Sequence, residues 1–239
     1  GALAGDSLNQ GNYNVAIGKG ALATEDGHSY NVAIGINALT TQNADADAYN
    51  VAVGANAGLA ITTGINNTLI GGLAGDAMTT GFRNSILGYN AGGAITIGNS
   101  NVAMGHLALA TNVAADRNVA IGVEALTNMT AASTADHYNV AVGYSAGTAV
   151  TSGINNTIIG GLAGDAMQDD SNNTAVGTQS MSSLQTDNCV AVGFASMFAA
   201  TTSTRTTAVG PSAMGAGVVT GDDNTAIGSK SQLNVTSGE

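Results

Sequence analysis

The sequence predicts an all-β fold, a parallel β-roll of about 13 short coils stacked one on the next. Three observations point there. A five-residue phrase, Asn14-Val15-Ala16-Ile17-Gly18, returns in strict or loose form at glycines 35, 54, 71, 88, 105, 122, 143, 160, 177, 193, 210 and 228. The steps between these glycines are mostly 17 residues and range from 16 to 21; a short fixed period marks a repeat architecture. Each phrase is also a brief β-branched alternation closed by glycine, the pattern of a strand running into a turn.

Residues 1–13 read as the closing half of a coil. From Asn14 the coils follow without a linker, so one continuous repeat domain is expected over 1–239. Three residues before each glycine stands Val, Thr or Ser, and directly before it an aliphatic residue. Side chains alternate across a strand. This pair is therefore expected to face the interior of the coil. The middle residue, usually Ala, is expected to face outward against another chain, with Leu69, Ile86 and Ile158 as larger exceptions. Past the glycine come two variable residues, then Ala or Ser, then Leu, Gly or Met in most copies. This reads as a tight turn and a second short extended piece. Coils about 4.8 Å apart leave little room for bulky turns, and thirteen of them predict a rod on the order of 60 Å long.

The longest steps place insertions at 41–48 and 128–137, which read as surface loops. Residues 50–78 and 139–167 agree at 23 of 29 positions, an offset of 89 residues or five coils. A duplicated five-coil block accounts for this. Beyond residue 168 the pattern drifts. Ser180, Ser196 and Ser231 replace Ala, and Met181, Met197 and Met214 fill the next column.

Four residues before the glycine runs a polar column: Asn14, Asn31, Asn50, Asn67, Asn84, Asn101, Asn118, Asn139, Asn156, Asn173 and Asn224, interrupted by Cys189 and Thr206. Two structural readings stand side by side. Stacked amides form a hydrogen-bonded ladder between coils, or Asn serves because it tolerates a left-handed turn. One residue earlier lies a second column with Tyr13, Tyr30, Tyr49, Arg83, Arg117, Tyr138 and Arg205. Tyr and Arg are enriched at binding hot spots, so this stripe is the candidate surface for a glycan or a protein partner. Its structural alternative is a corner that covers the Asn column or meets a neighbouring chain.

The chain has 34 Gly, one Pro, no Trp, 9% charged residues and a net charge of −11. Five basic side chains are too few for a phosphate-binding face, so no nucleic-acid partner is expected. No apolar run reaches the length of a membrane span, so no membrane insertion is expected. Cys189, alone in the chain, reads as a buried free thiol. His28, His106 and His137 sit at unrelated phases of the repeat and form no catalytic set. Asp6, Asp76 and Asp165 recur after glycine, one carboxylate per coil, whereas a hard cation wants six or more oxygens. The expectation is no catalytic residue, no cofactor, no metal and no enzyme.

The phrase Asn-Val-Ala-Ile-Gly-x-x-Ala-Leu, as at 14–22, resembles the head repeats of YadA-type trimeric autotransporter adhesins. Asn156-Thr-Ile-Ile-Gly160 and Asn173-Thr-Ala-Val-Gly177 are similar to repeats of bacteriophage tail fibres. The resemblance spans essentially the whole chain. It implies a left-handed β-solenoid, assembled as a homotrimer with the small middle residue toward the three-fold axis. The adhesin heads use about 14 residues per coil; the dominant 17 here is closer to the phage arrays. The expected function is a structural trimeric tail-fibre protein on the virion, presenting a host-attachment surface. The alternative is an adhesin head on a bacterial surface, extracellular. A hexapeptide-type acyltransferase is a remote third reading. It would show three aliphatic positions per coil, and this chain keeps one strict aliphatic-glycine pair.

Overall fold

The computed structural model spans residues 1–239 and describes all of them except 28, 45, 131–134, 184, 200–202, 216–220 and 233–239. His28 and parts of both insertions therefore lie outside the described residues. The protein is an all-β parallel solenoid, with no helix among the described residues. Two compact units divide it: Gly1–Asn118 with Thr130–Ala135, and Val119–Met129 with Asp136–Glu239.

Every strand is three residues long. The first unit holds β1 (Val15–Ile17), β2 (Val32–Ile34), β3 (Val51–Val53), β4 (Thr68–Ile70), β5 (Ser85–Leu87) and β6 (Val102–Met104). The second holds β7 (Val119–Ile121), β8 (Val140–Val142), β9 (Thr157–Ile159), β10 (Thr174–Val176), β11 (Val190–Val192), β12 (Thr207–Val209) and β13 (Thr225–Ile227). Successive strands within a unit pair in parallel and in register, Val15 against Val32 in the first and Val119 against Val140 in the second. The repeat columns of the sequence are thus stacked columns within each unit. The Val15 N–H donates to the Asn31 carbonyl at 2.8 Å, and the Gly35 N–H to the Ile17 carbonyl at 2.7 Å.

The glycine column is strict because there is no room for a side chain. A Cβ on Gly88 would lie 2.5 Å from the Gly105 carbonyl oxygen, at a φ of 139° that side chains rarely adopt. Past each glycine the chain turns through left-handed residues at the second and fourth positions, such as Asn37 (φ 56°) and Leu39 (φ 50°). The fourth position points its side chain into the core, where Leu22, Leu39, Leu109 and Leu126 are fully buried.

The facing of the strands corrects the sequence reading. The middle residue is the buried one: Ala33, Ala52, Leu69, Ile86, Ala103, Ala120, Ala141 and Ile158 are all inaccessible within their own chain. The flanking aliphatic pair points outward, half-buried or exposed, as in β6 and β7. The alternation was right and its sign was reversed. Both faces are apolar, so hydrophobicity alone did not say which face closes on itself. Volume decides. The lumen already holds the turn's Ala and Leu columns, which leaves space for Ala but not for a Val and Ile pair.

The large exceptions fit the same rule. Where the core takes Leu69, Ile86 or Ile158, nearby turns supply glycine at the fourth position instead of Leu. A Cβ on Gly58 would fall 2.7 Å from Leu69 Cδ1 and 2.9 Å from Leu39 Cδ2. A Cβ on Gly92 would fall 2.7 Å from Ile86 Cδ1. The small middle residue therefore does not line an axis between chains, as the resemblance implied for it; it packs the coil's own core.

Candidate functional site

Three columns stack from coil to coil within each unit, the first of them largely buried. The first, the Asn column, lies at the strand entrance and holds the coils together. The Asn31 backbone N–H donates to Asn14 Oδ1 at 2.9 Å. The same bond joins Asn50 to Asn31, Asn67 to Asn50, Asn84 to Asn67, Asn101 to Asn84 and Asn118 to Asn101, at 2.8 to 3.2 Å. In the second unit it joins Asn156 to Asn139, at 3.0 Å, and Asn173 to Asn156, at 2.9 Å. Most side-chain amides also donate onward to a carbonyl, Asn67 Nδ2 to Gly81 at 2.8 Å and Asn139 Nδ2 to Gly153 at 2.7 Å. Asn224 Nδ2 reaches the Gly221 carbonyl. The column is a ladder, with the backbone as the main donor. Left-handed backbone belongs to the preceding column.

Cys189 takes an Asn place in kind. Its N–H donates to Asn173 Oδ1 at 2.8 Å, and its Sγ sits 3.1 Å from the Ser203 carbonyl oxygen. The thiol is free and buried, and burial pushes its pKa up.

The second column is the Tyr and Arg stripe. All seven residues adopt left-handed backbone, with φ from 51° to 66°. Tyr13 stacks on Tyr30 at 5.1 Å between ring centroids, and Tyr30 on Tyr49 at 4.8 Å. Stacking turns the ring faces toward one another and leaves edges and hydroxyls to solvent. The Tyr30 phenol is held above its ordinary range, first by loss of solvent and then by the Tyr49 and Tyr13 phenols beside it. The other members are spread apart. Arg83 leans over the Phe82 ring at 5.3 Å, and Tyr138 donates its hydroxyl to Asp136 Oδ2 at 3.0 Å. Arg205 forks onto Asp223 at 2.7 and 2.9 Å, with Asp222 at 3.5 Å. That fork holds the Asp223 carboxyl below its usual range. Three stacked rings form one group; Arg83, Tyr138 and Arg205 are each engaged with other neighbours.

The third column is the outward strand face, which the sequence reading had placed inside. In the first unit Val15, Ile17, Ile70, Leu87 and Met104 are 37–57% exposed; in the second, Ile121, Ile159, Val192 and Ile227 are 36–72% exposed. Neither outward column carries a charged residue. Just past the strands, Ile36, Tyr89, Val123, Tyr144 and Phe194 are exposed on the turn, and Tyr89 stacks on His106 at 5.8 Å. A stripe of bare aliphatic side chains on a sheet face is unusual for a chain alone in water.

Sequence reasoning missed one titratable group. Burial pushes the Asp170 carboxyl up to about 6, Asp169 and Asp187 act the same way, and the N–H of Gln168 opposes them. The backbone carbonyl of Asp170 itself accepts the Asn156 amide in the ladder, at 2.7 Å. No cluster of metal-ligating side chains and no enclosed pocket occurs among the described residues. No helix among them is long and apolar enough to cross a membrane. No family model, curated protein or solved structure matches the chain.

Proposed function

We propose that this chain is a structural, fibre-forming protein that works as a left-handed homotrimer in a bacteriophage tail fibre and presents a host-attachment surface. The observation that carries the reading is the uncharged, mostly aliphatic outward strand face, half-buried to exposed from coil to coil. Within each unit the exposed aliphatics stand on paired strands, and contiguous apolar surface of this kind marks a protein–protein contact. A second copy matches that face in strand spacing and in its lack of charge. The 17-residue period and the Asn-Thr-x-x-Gly phrases favour the phage reading. The Asn-Val-Ala-Ile-Gly-x-x-Ala-Leu phrases at 14–22, 31–39 and 118–126 favour a second reading, an adhesin head on a bacterial surface.

Adsorption separates the two. Fluorescently labelled protein should adsorb to intact bacterial cells and be displaced by unlabelled protein. Adsorption to animal cells or matrix and not to bacteria would move the assignment to the adhesin.

A further inference from the structure

We propose that the outward strand face carries its own register marks, hydroxyl steps that fix how copies of the chain align; this rests on the self-association reading above. The first outward column is Val in β1, β2, β3 and β6, but Thr68 in β4 and Ser85 in β5. In the second unit it is Val in β7, β8 and β11, but Thr157, Thr174, Thr207 and Thr225 in β9, β10, β12 and β13.

None of these six hydroxyls bonds to another described residue of its own chain, although threonines and serines on the turns commonly do, as Thr41 and Ser182 show. In the separate chain, water serves them. Once the face is covered, a hydroxyl opposite Val is buried without a partner. Opposite the same residue of another copy, each hydroxyl both donates and accepts. The flanking aliphatics cannot supply this discrimination. They repeat at every coil, so a slide of one strand, about 4.8 Å, would match them nearly as well. The hydroxyl steps are irregular along each unit. A one-strand slide sets Thr68 against Val51 or Ser85 against Val102 in the first unit. In the second it sets Thr157 against Val140 and Thr174 against Val190. Register is the weakness of a flat repetitive face, and polar positions in apolar seams are an attested remedy.

Two variants that each add one cysteine test this, Ile70→Cys and Leu87→Cys, which sit one coil apart on the outward face; the buried Cys189 remains in place. The two are co-assembled by refolding and oxidised with diamide, and disulfide-linked peptides are read by mass spectrometry. The expected result is 70–70 and 87–87 links without 70–87 links. The same pair made in a chain carrying Thr68→Val, Ser85→Val, Thr157→Val, Thr174→Val, Thr207→Val and Thr225→Val should gain 70–87 links to a level comparable with like-to-like links. If the six-fold variant fails to fold, Thr68→Val with Ser85→Val is used alone and should raise 70–87 links at least several-fold. Only like-to-like links in the hydroxyl-free chains would overturn the register marks and leave self-association standing. No interchain links in any variant would overturn the self-association reading as well.

Discussion

At the scale of single residues, the glycine column sets the fold's least negotiable condition. Gly88→Ala forces a Cβ against the Gly105 carbonyl at a φ that disfavours side chains, and it should destabilise the chain by about 3 kcal/mol or more. Gly72→Ala is the control. A Cβ there meets Tyr89 at 3.5 Å, ordinary contact, and the change should stay within about 1 kcal/mol of the parent. Urea denaturation of both variants measures the difference. Asp170 supplies a pH dependence of unusual sign for a carboxylate. Its folded pKa of about 6 lies above the ordinary 3.8. Between these values the folded chain keeps a proton that the unfolded chain has lost. The group's contribution to stability therefore falls as pH rises from about 4 to about 6 and stays low above that. Asp170→Asn removes the step. Relative to the parent it should gain stability at pH 7 and lose that gain near pH 4, as followed by the urea midpoint at each pH.

At the scale of the coil, strand and turn share one volume. Leu69 fills space that Gly58 leaves open. Leu69→Ala should cost about 2–5 kcal/mol, and Gly58→Ala should be destabilising by itself through the clash with Leu69 and Leu39. The double variant should cost less than the sum by at least about 1 kcal/mol, because each change relieves the other. Strict additivity in a double-mutant cycle would mean that the two do not share a cavity. The same coupling shows what was legible in the sequence. The positions of the strands, the parallel stacking and the column order followed from period and glycine spacing. The Asn column was visible as a column, but two mechanisms fitted it until backbone N–H donors were seen on Oδ1. The facing of the strands was not legible, because Ala and the Val and Ile pair are both apolar and only the volume of the lumen separates them. Leu69, Ile86 and Ile158 were the clue: bulk at the middle position accompanied by glycine in nearby turns belongs to a packed core.

At the scale of the whole molecule, a solenoid with its small residues inside and its aliphatic pair outside presents apolar strand surface to water, which is the basis of the proposed self-association. The net charge of −11 opposes association between copies, yet the strand columns that would meet carry none of it. The tyrosine stack at Tyr13, Tyr30 and Tyr49 spends its ring faces on itself, so the proposed self-assembly is assigned to the strands. Sedimentation equilibrium at micromolar concentration tests this most directly, on the parent chain of 23.3 kDa and on Ile121→Glu and Lys19→Glu. The parent and Lys19→Glu, altered on an exposed turn, should sediment at three times the chain mass, and Ile121→Glu, altered on the outward strand face, should fall to a smaller species. A well-folded parent monomer, or equal behaviour of the two variants, would contradict the assignment of that face.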